Sequence, residues 1–331
     1  MKKTRKIKNI LCIILATLFL VACQVENDNY AGDTLSVPED TLSSSDVAKA
    51  DGPETKDASS SNQENDMTKT IKPDHPYGAG VFSWDHLPDD EDIQCLVSNN
   101  ITEIYQYIKP EYSDEEIVSF LGRMSDKGID VYILDGEPTW SYQENLRYAE
   151  AVIDRIAYIN NYVSKRERIL GVVYDIEPYV LDKWHSTPQL IMDEYIENIK
   201  ALRDKIERRS YNIEMCVCVP YSFDLMGYQE HLHSLIDSSD QVLVLNYNKA
   251  NEIEDIRTEM EMAYELGKRI VTVYELQPGL LSQTNNSVTY YKDGLGAIKT
   301  SYDNMLSAYE GKKLGIAYHT MDCLKILSER Q

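Results

Sequence analysis

From residue 79 onward, short apolar, β-branched or Tyr-rich runs recur, each followed by a polar turn and a longer amphipathic stretch. This alternation reads as repeated βα units feeding a parallel sheet. The predicted strands are Ala79 to Trp84, Ile101 to Ile108, Asp130 to Leu134, Ile169 to Ile176, Ile213 to Pro220, Gln241 to Tyr247, Arg269 to Glu275 and Lys313 to Tyr318. Between them, helices are predicted over Asp114 to Lys127, Gln143 to Val163, Pro188 to Arg209, Gln229 to Ile236, Ile253 to Leu266 and Ala297 to Tyr309. Gly128 and Gly267 stand where helix C-caps should turn the chain into the next strand. The strand order predicts an α/β fold, a single (β/α)8 TIM barrel over residues 74–331, a stretch of suitable length at roughly 250 residues. No finer repeat and no second domain is visible.

The chain ahead of the barrel has a different pattern. Lys2, Lys3, Arg5, Lys6 and Lys8 precede an apolar run from Ile10 to Ala22, the order of a secretory signal and too short to span a bilayer comfortably. The run ends in Leu20-Val21-Ala22-Cys23, which resembles a bacterial lipobox. Residues 1–22 are therefore expected to be a lipoprotein signal peptide and Cys23 the lipidated N-terminus, holding an exported protein to the extracytoplasmic side of the membrane through a lipid only. An ordinary cleaved signal is the alternative. Residues 23–73 are rich in Asp, Glu, Ser, Thr and Asn and nearly free of aromatics, so they cannot bury enough apolar surface to offset chain entropy. They read as a disordered acidic tether reaching roughly 40 Å on average.

A net charge of −22 argues against a nucleic-acid partner, because phosphates would be repelled, and serves mainly solubility. Of the six cysteines, Cys12 and Cys23 belong to export. Cys216 and Cys218 alternate on a strand and read as buried small hydrophobes. Cys95 and Cys323 fall in the first and last helices, which closure makes neighbours, so a disulfide between them is one expectation for an exported protein.

A barrel of this kind builds its site where its strands end. Past the first three strands stand Ser83, Trp84 and Asp85, then Gln106 and Tyr107, then Asp135, Glu137 and Trp140. The fourth ends in Asp175, Glu177 and Tyr179, with Trp184 following. The last four give Tyr221; Asn246, Tyr247 and Asn248; Tyr274, Glu275 and Gln277; and Tyr318 and His319. All three tryptophans thus fall on the predicted catalytic face. Carboxylates and amides beside aromatic rings suit a carbohydrate, whose C–H faces stack on rings while its hydroxyls bond to polar groups. Rings that merely plug the barrel mouth are the alternative.

The sharpest local signal is Gly171-Val172-Val173-Tyr174-Asp175-Ile176-Glu177-Pro178. Residues two apart on a strand share a face, so Asp175 and Glu177 should point together into the mouth. Two carboxylates this close resist ionising together, and one should keep a proton near neutral pH. Glu177, nearer the rim, is the expected proton donor and Asp175 its electrostatic assistant. A pair satisfied by internal hydrogen bonds, as in nonenzymatic barrels, is the structural alternative.

These residues resemble the family 18 glycoside hydrolases, the chitinase and endo-N-acetylglucosaminidase group, over strands four to six. Asp175-Ile176-Glu177 matches the end of the family's D-x-x-D-x-D-x-E strand, Cys218-Val219-Pro220 resembles the close of its fifth strand, and Leu245-Asn246-Tyr247-Asn248 is similar to its M-x-Y-D. Leu170 and Val173 replace the two earlier aspartates, Leu245 the methionine and Asn248 the last aspartate. Leu134-Asp135-Gly136-Glu137 stands where the family has S-x-G-G, and Asp135 is the expected substitute partner for Asp175. The resemblance implies a retaining, substrate-assisted hydrolase of N-acetylhexosamine glycans. Glu177 would be its acid/base, with Asp175 and Tyr247 holding the acetamido group that attacks the anomeric carbon. Trp84, Tyr107, Trp140 and Trp184 would form the sugar platform, and Asp135, Glu137, Tyr179, Tyr221, Asn246, Asn248, Glu275 and Tyr318 would complete substrate binding.

Two other readings stay open. Ile176-Glu177-Pro178 is similar to the N-E-P turn of the large clan of retaining barrel hydrolases, in which Glu275 would be the nucleophile. A carbohydrate-binding lipoprotein that kept the barrel and lost catalysis is the second. No cofactor is implied. His75, His86, His185, His231, His233 and His319 show no ligand spacing that would call for a metal, and no serine or cysteine elbow is present. Oligomeric state leaves no mark on the sequence.

Overall fold

The computed structural model describes residues 76–278 and 287–330. The expected signal peptide, Cys23 and the tether lie outside the described residues.

Eight parallel strands close into one barrel in sequence order. They are β1 (Ala79–Ser83), β2 (Glu103–Gln106), β3 (Asp130–Asp135), β4 (Gly171–Tyr174), β5 (Glu214–Pro220), β6 (Gln241–Leu245), β7 (Arg269–Glu275) and β8 (Leu314–His319). Closure is made by β1 on β8, with Val81 opposite Tyr318 and Phe82 opposite His319. The connecting helices are α1 (Asp90–Ser98), α2 (Asp114–Asp126), α3 (Leu146–Asn160), α4 (Pro188–Arg208), α5 (Gln229–Ser238), α6 (Glu252–Asp255), α7 (Arg257–Glu265), α8 (Leu295–Ala308) and α9 (Met321–Ser328). Among the described residues, no helix is long and apolar enough to cross a membrane.

Local chemistry explains where these helices begin and end. Asp89 and Asp92 form a capping box at the start of α1, and Ser113 and Glu116 form another at the start of α2, so backbone N–H groups without helical partners are satisfied reciprocally. Gly128 and Gly267 carry positive φ after α2 and α7, as their C-cap positions require. The helix expected over Ile253 to Leu266 breaks at Ile256 into α6 and α7. The one expected over Gln143 to Val163 starts with a short 3-10 turn, Gln143–Asn145, before α3.

Strand alternation divides the core in two. Val172, Tyr174 and Ile176 face outward and pack with helix residues such as Ile153 and Ile199. Phe82, Tyr105, Leu134, Val173, Cys218, Leu243, Val271 and Ala317 have the opposite parity and are buried inside the barrel. At the interior floor, Arg269 pairs with Glu103 at 2.6 Å, Tyr105 donates to Glu103 Oε2 at 2.9 Å and Tyr132 donates to Glu214 Oε2 at 2.8 Å. Cys95 and Cys323 are separate thiols, which corrects the disulfide expectation. Their helices do pack together, but Cys95 Sγ turns toward Ser328 Oγ at 3.9 Å.

Candidate active site

The inward column of β4 continues past the last paired residue, so Val173, Asp175 and Glu177 line one face of the barrel. Asp175 and Glu177 are each 8% exposed, at the mouth rather than beyond it. What brings β3 close enough to shape this corner is Gly136. A Cβ there would lie 2.4 Å from the Asp175 carbonyl oxygen, so only glycine permits the approach.

Asp175 Oδ1 is buried and has no hydrogen-bond partner among the described residues. Burial pushes its carboxyl up, against the opposing charge of His319 and the Cys218 thiol. Tyr179 donates to Glu177 Oε1. That bond favours the charged form, yet burial first and the Asp175 charge second push Glu177 up to about 8. A carboxyl raised this far favours its protonated form at neutral pH.

Three further inward residues stand at this mouth. Tyr247 follows β6 and is buried. Glu275 ends β7 and sits in register with His319 of β8. Glu275 Oε2 lies 3.0 Å from His319 Nδ1, while Oε1 accepts the Gln277 N–H at 2.6 Å. The sequence places Tyr247 and Glu275 here with site roles, whereas His319 is named at the end of the eighth strand but given no role in the site. Counting inward positions along β8 from Gly315 through Ala317 to His319 identifies it.

Of the expected sugar platform, the structure brings together Trp84 and Tyr107, both half-buried with ring centroids 6.0 Å apart. Trp140 is half-buried in the 3-10 turn Pro138–Ser141 and packs against the core, where Asn198 bonds its carbonyl. Trp184 is a correction. It is 9% exposed and packs at 5.7 Å from the Tyr228 ring within the outer core, so it offers no open face.

Parity corrects four more residues. Tyr221 and Tyr318 fall on the outward face and join the helix-side packing. Asn246 also points outward, donating to the Glu252 carbonyl at 3.0 Å and to Thr272 Oγ1 at 3.3 Å. Asn248 is tied to Asp255 Oδ2 at 2.6 Å. All four hold the scaffold rather than face the interior.

Asp135 has outward parity too, in register with Tyr174, and accepts the Gly136 N–H at 2.8 Å. Burial pushes its carboxyl up to about 6, but the groups acting on Asp175 are His319 and Cys218, so Asp135 is not the substitute partner expected. Glu137 is exposed at the rim. Among the described residues no group of His, Cys, Asp and Glu side chains is arranged to hold a metal. A depression of about 610 Å³ around Tyr158, Arg168 and Tyr211 lies at the opposite, N-terminal face of the barrel and contains none of these residues.

No family model matches the chain, and no curated protein matches it. Among solved structures it is similar to a GH18 chitinase from Cycas revoluta in complex with allosamidin, at 11% identity over 76% of this chain and 99% of that one, with a TM-score of 0.48. It is also similar to a class V chitinase from Nicotiana tobaccum, at 12% identity over 60% and 67%, with a TM-score of 0.43. A third similarity is to catalytic domain 2 of the Ostrinia furnacalis group II chitinase, at 12% identity and a TM-score of 0.40, covering 60% of this chain and 64% of that domain's length. The barrel assignment rests on the strand pairing and not on these overlaps.

Proposed function

We propose that the protein is a glycoside hydrolase acting on an N-acetylhexosamine-containing glycan, with Glu177 as general acid/base. The observation that carries this reading is the inward carboxylate pair at the end of β4, in which burial and Asp175 keep Glu177 protonated at neutral pH. A protonated carboxyl at the mouth of a barrel can give its proton to the leaving glycosidic oxygen and later take one from water. In the retaining, substrate-assisted route, the substrate's own acetamido oxygen attacks the anomeric carbon. Asp175 then stabilises the charge that develops on the acetamido group, and the Tyr247 hydroxyl bonds its oxygen. Trp84 and Tyr107 supply the ring surface for a sugar.

Digestion of a glycan panel with analysis of product anomers tests this reading. Glu177→Gln is expected to lower turnover by about 10²–10⁴-fold while sparing binding. Equal product release by the wild type and the variant would remove Glu177 from its role.

A second reading is favoured by one observation, the inward placement of Glu275 from β7. With Glu275 as nucleophile, Glu275→Ala would lose turnover and regain it with azide. In the acetamido-assisted route azide has no effect.

The proposal includes export and lipid anchoring, supported by the basic start, the apolar run and Leu20-Val21-Ala22-Cys23. Cys23→Ala should move the protein out of the membrane fraction. Its retention there would end the anchoring claim and leave the enzymatic one standing.

A further inference from the structure

The acid–base scheme above leaves one group at the barrel mouth without a task. His319 closes β8 and is 4% exposed. Its ring packs edge-on against Phe82 at 5.4 Å and tilted toward Tyr247 at 6.5 Å. Glu275 holds its Nδ1 at 3.0 Å and is itself fixed by the Gln277 N–H. A ring gripped this way, at one nitrogen by a carboxylate and on its sides by aromatics, keeps one orientation.

The charges around it explain why that matters. The titratable groups facing His319 are Asp175 and Glu177 after β4, Tyr247 after β6 and Glu275 on β7, while Cys218 on β5 faces Asp175 and Cys323 on α9 faces Glu275. Three of these groups are carboxyls. Among the described residues, the cation that acts on both Asp175 and Glu177 is His319. Burial of two neighbouring carboxyls without a cation favours their shared neutral form, in which neither can stabilise positive charge on a substrate.

The geometry points to His319 as a positioning residue for the proposed reaction: its imidazolium, oriented by Glu275, is the internal counterion that lets one carboxyl of the Asp175–Glu177 pair ionise while the other keeps its proton. Burial opposes the imidazolium charge, but Glu275, Asp175 and Glu177 outweigh it and His319 is raised above the usual histidine value. This role rests on the glycosidase reading for its catalytic meaning, and on the interior geometry alone for its electrostatics.

The test is a titration of ¹³C-labelled Asp and Glu carboxyls, with pH–rate profiles, for the wild type and His319→Gln. Loss of the cation is expected to raise the titration of both carboxyls by about one pH unit. Both limbs of the kcat/KM bell should move to higher pH by the same amount, with a loss of about tenfold on the acid side. Unmoved carboxyl titrations in a folded His319→Gln protein would overturn the inference, whatever happens to kcat. Should that variant not fold, Glu275→Gln keeps the ring and removes its anchor. The imidazole should then titrate lower and the pair higher, and an unchanged pair overturns the inference equally. A wild type that hydrolyses no glycan sinks the function proposed above, while the carboxyl titration still decides the role of His319.

Discussion

The floor and the mouth of the barrel both bury carboxyl groups, and they treat them in opposite ways. At the floor, Glu103 receives Arg269 and Tyr105, and Glu214 receives Tyr132, although Arg269 Nε and the Gln241 amide have no partner among the described residues. At the mouth, Asp175 Oδ1 has no hydrogen-bond partner among the described residues, and burial together with the Asp175 charge pushes Glu177 up. A charge with an oppositely charged, well-placed neighbour is a structural element. Carboxyls left short of donors cost stability, and a fold keeps such a cost where chemistry uses it.

The largest expected effect that would break this contrast is at the floor. Arg269→Ala leaves Glu103 buried and unpaired, and urea unfolding should show a loss of about 3–5 kcal/mol with little change in turnover per folded molecule. A large fall in turnover at unchanged stability would erase the distinction between the two layers.

Gly136→Ala comes next. Its Cβ must displace the Asp175 backbone, so a loss of about 1–3 kcal/mol should accompany a fall in kcat, and both should be measurable on the same preparation.

Last is the stability change of Glu177→Gln, whose sign rather than size sharpens the comparison. Glu177 titrates near 8 in the folded protein against an ordinary 4.5, so the unfolded chain ionises first. Wild-type stability from this group is therefore intact below about 4.5, and is lost progressively as pH rises toward 8. The variant lacks that loss. Its Tm should overtake the wild type across this window, and parallel Tm curves would contradict the assignment.

Much of the fold could be read from periodicity. The strand expected from Arg269 to Glu275 is β7 itself, because β-branched residues fill it and Gly267 marks its entry. By contrast, the run from Ile101 to Ile108 shrinks to β2, since the chain around Asn100, with φ of 55°, is still turning and Ile101 is buried before any pairing starts. Apolarity reports burial, and burial begins before the ladder does. In the site, Asp175 and Glu177 were legible because two-residue spacing fixes a shared face. Trp184, Tyr221, Asn246 and Tyr318 were misplaced because residue type was taken as evidence of orientation, whereas orientation follows from counting along each strand. His319 stands at a strand end in the sequence but carries no legible role there, because its partner, Glu275, is 44 residues away and becomes a neighbour only through the register of β7 and β8.

The pairing of β1 with β8 has a consequence for the order in which the molecule acquires its chemistry. The carboxyl pair leaves the ribosome midway through the barrel, whereas the imidazole that faces it arrives on the final strand, across the seam from Phe82. A nascent chain halted before β8 carries an acidic cluster with no counterion and an unsealed sheet edge. Synthesis of the last strand thus closes the barrel and completes the charge balance of its mouth in one step.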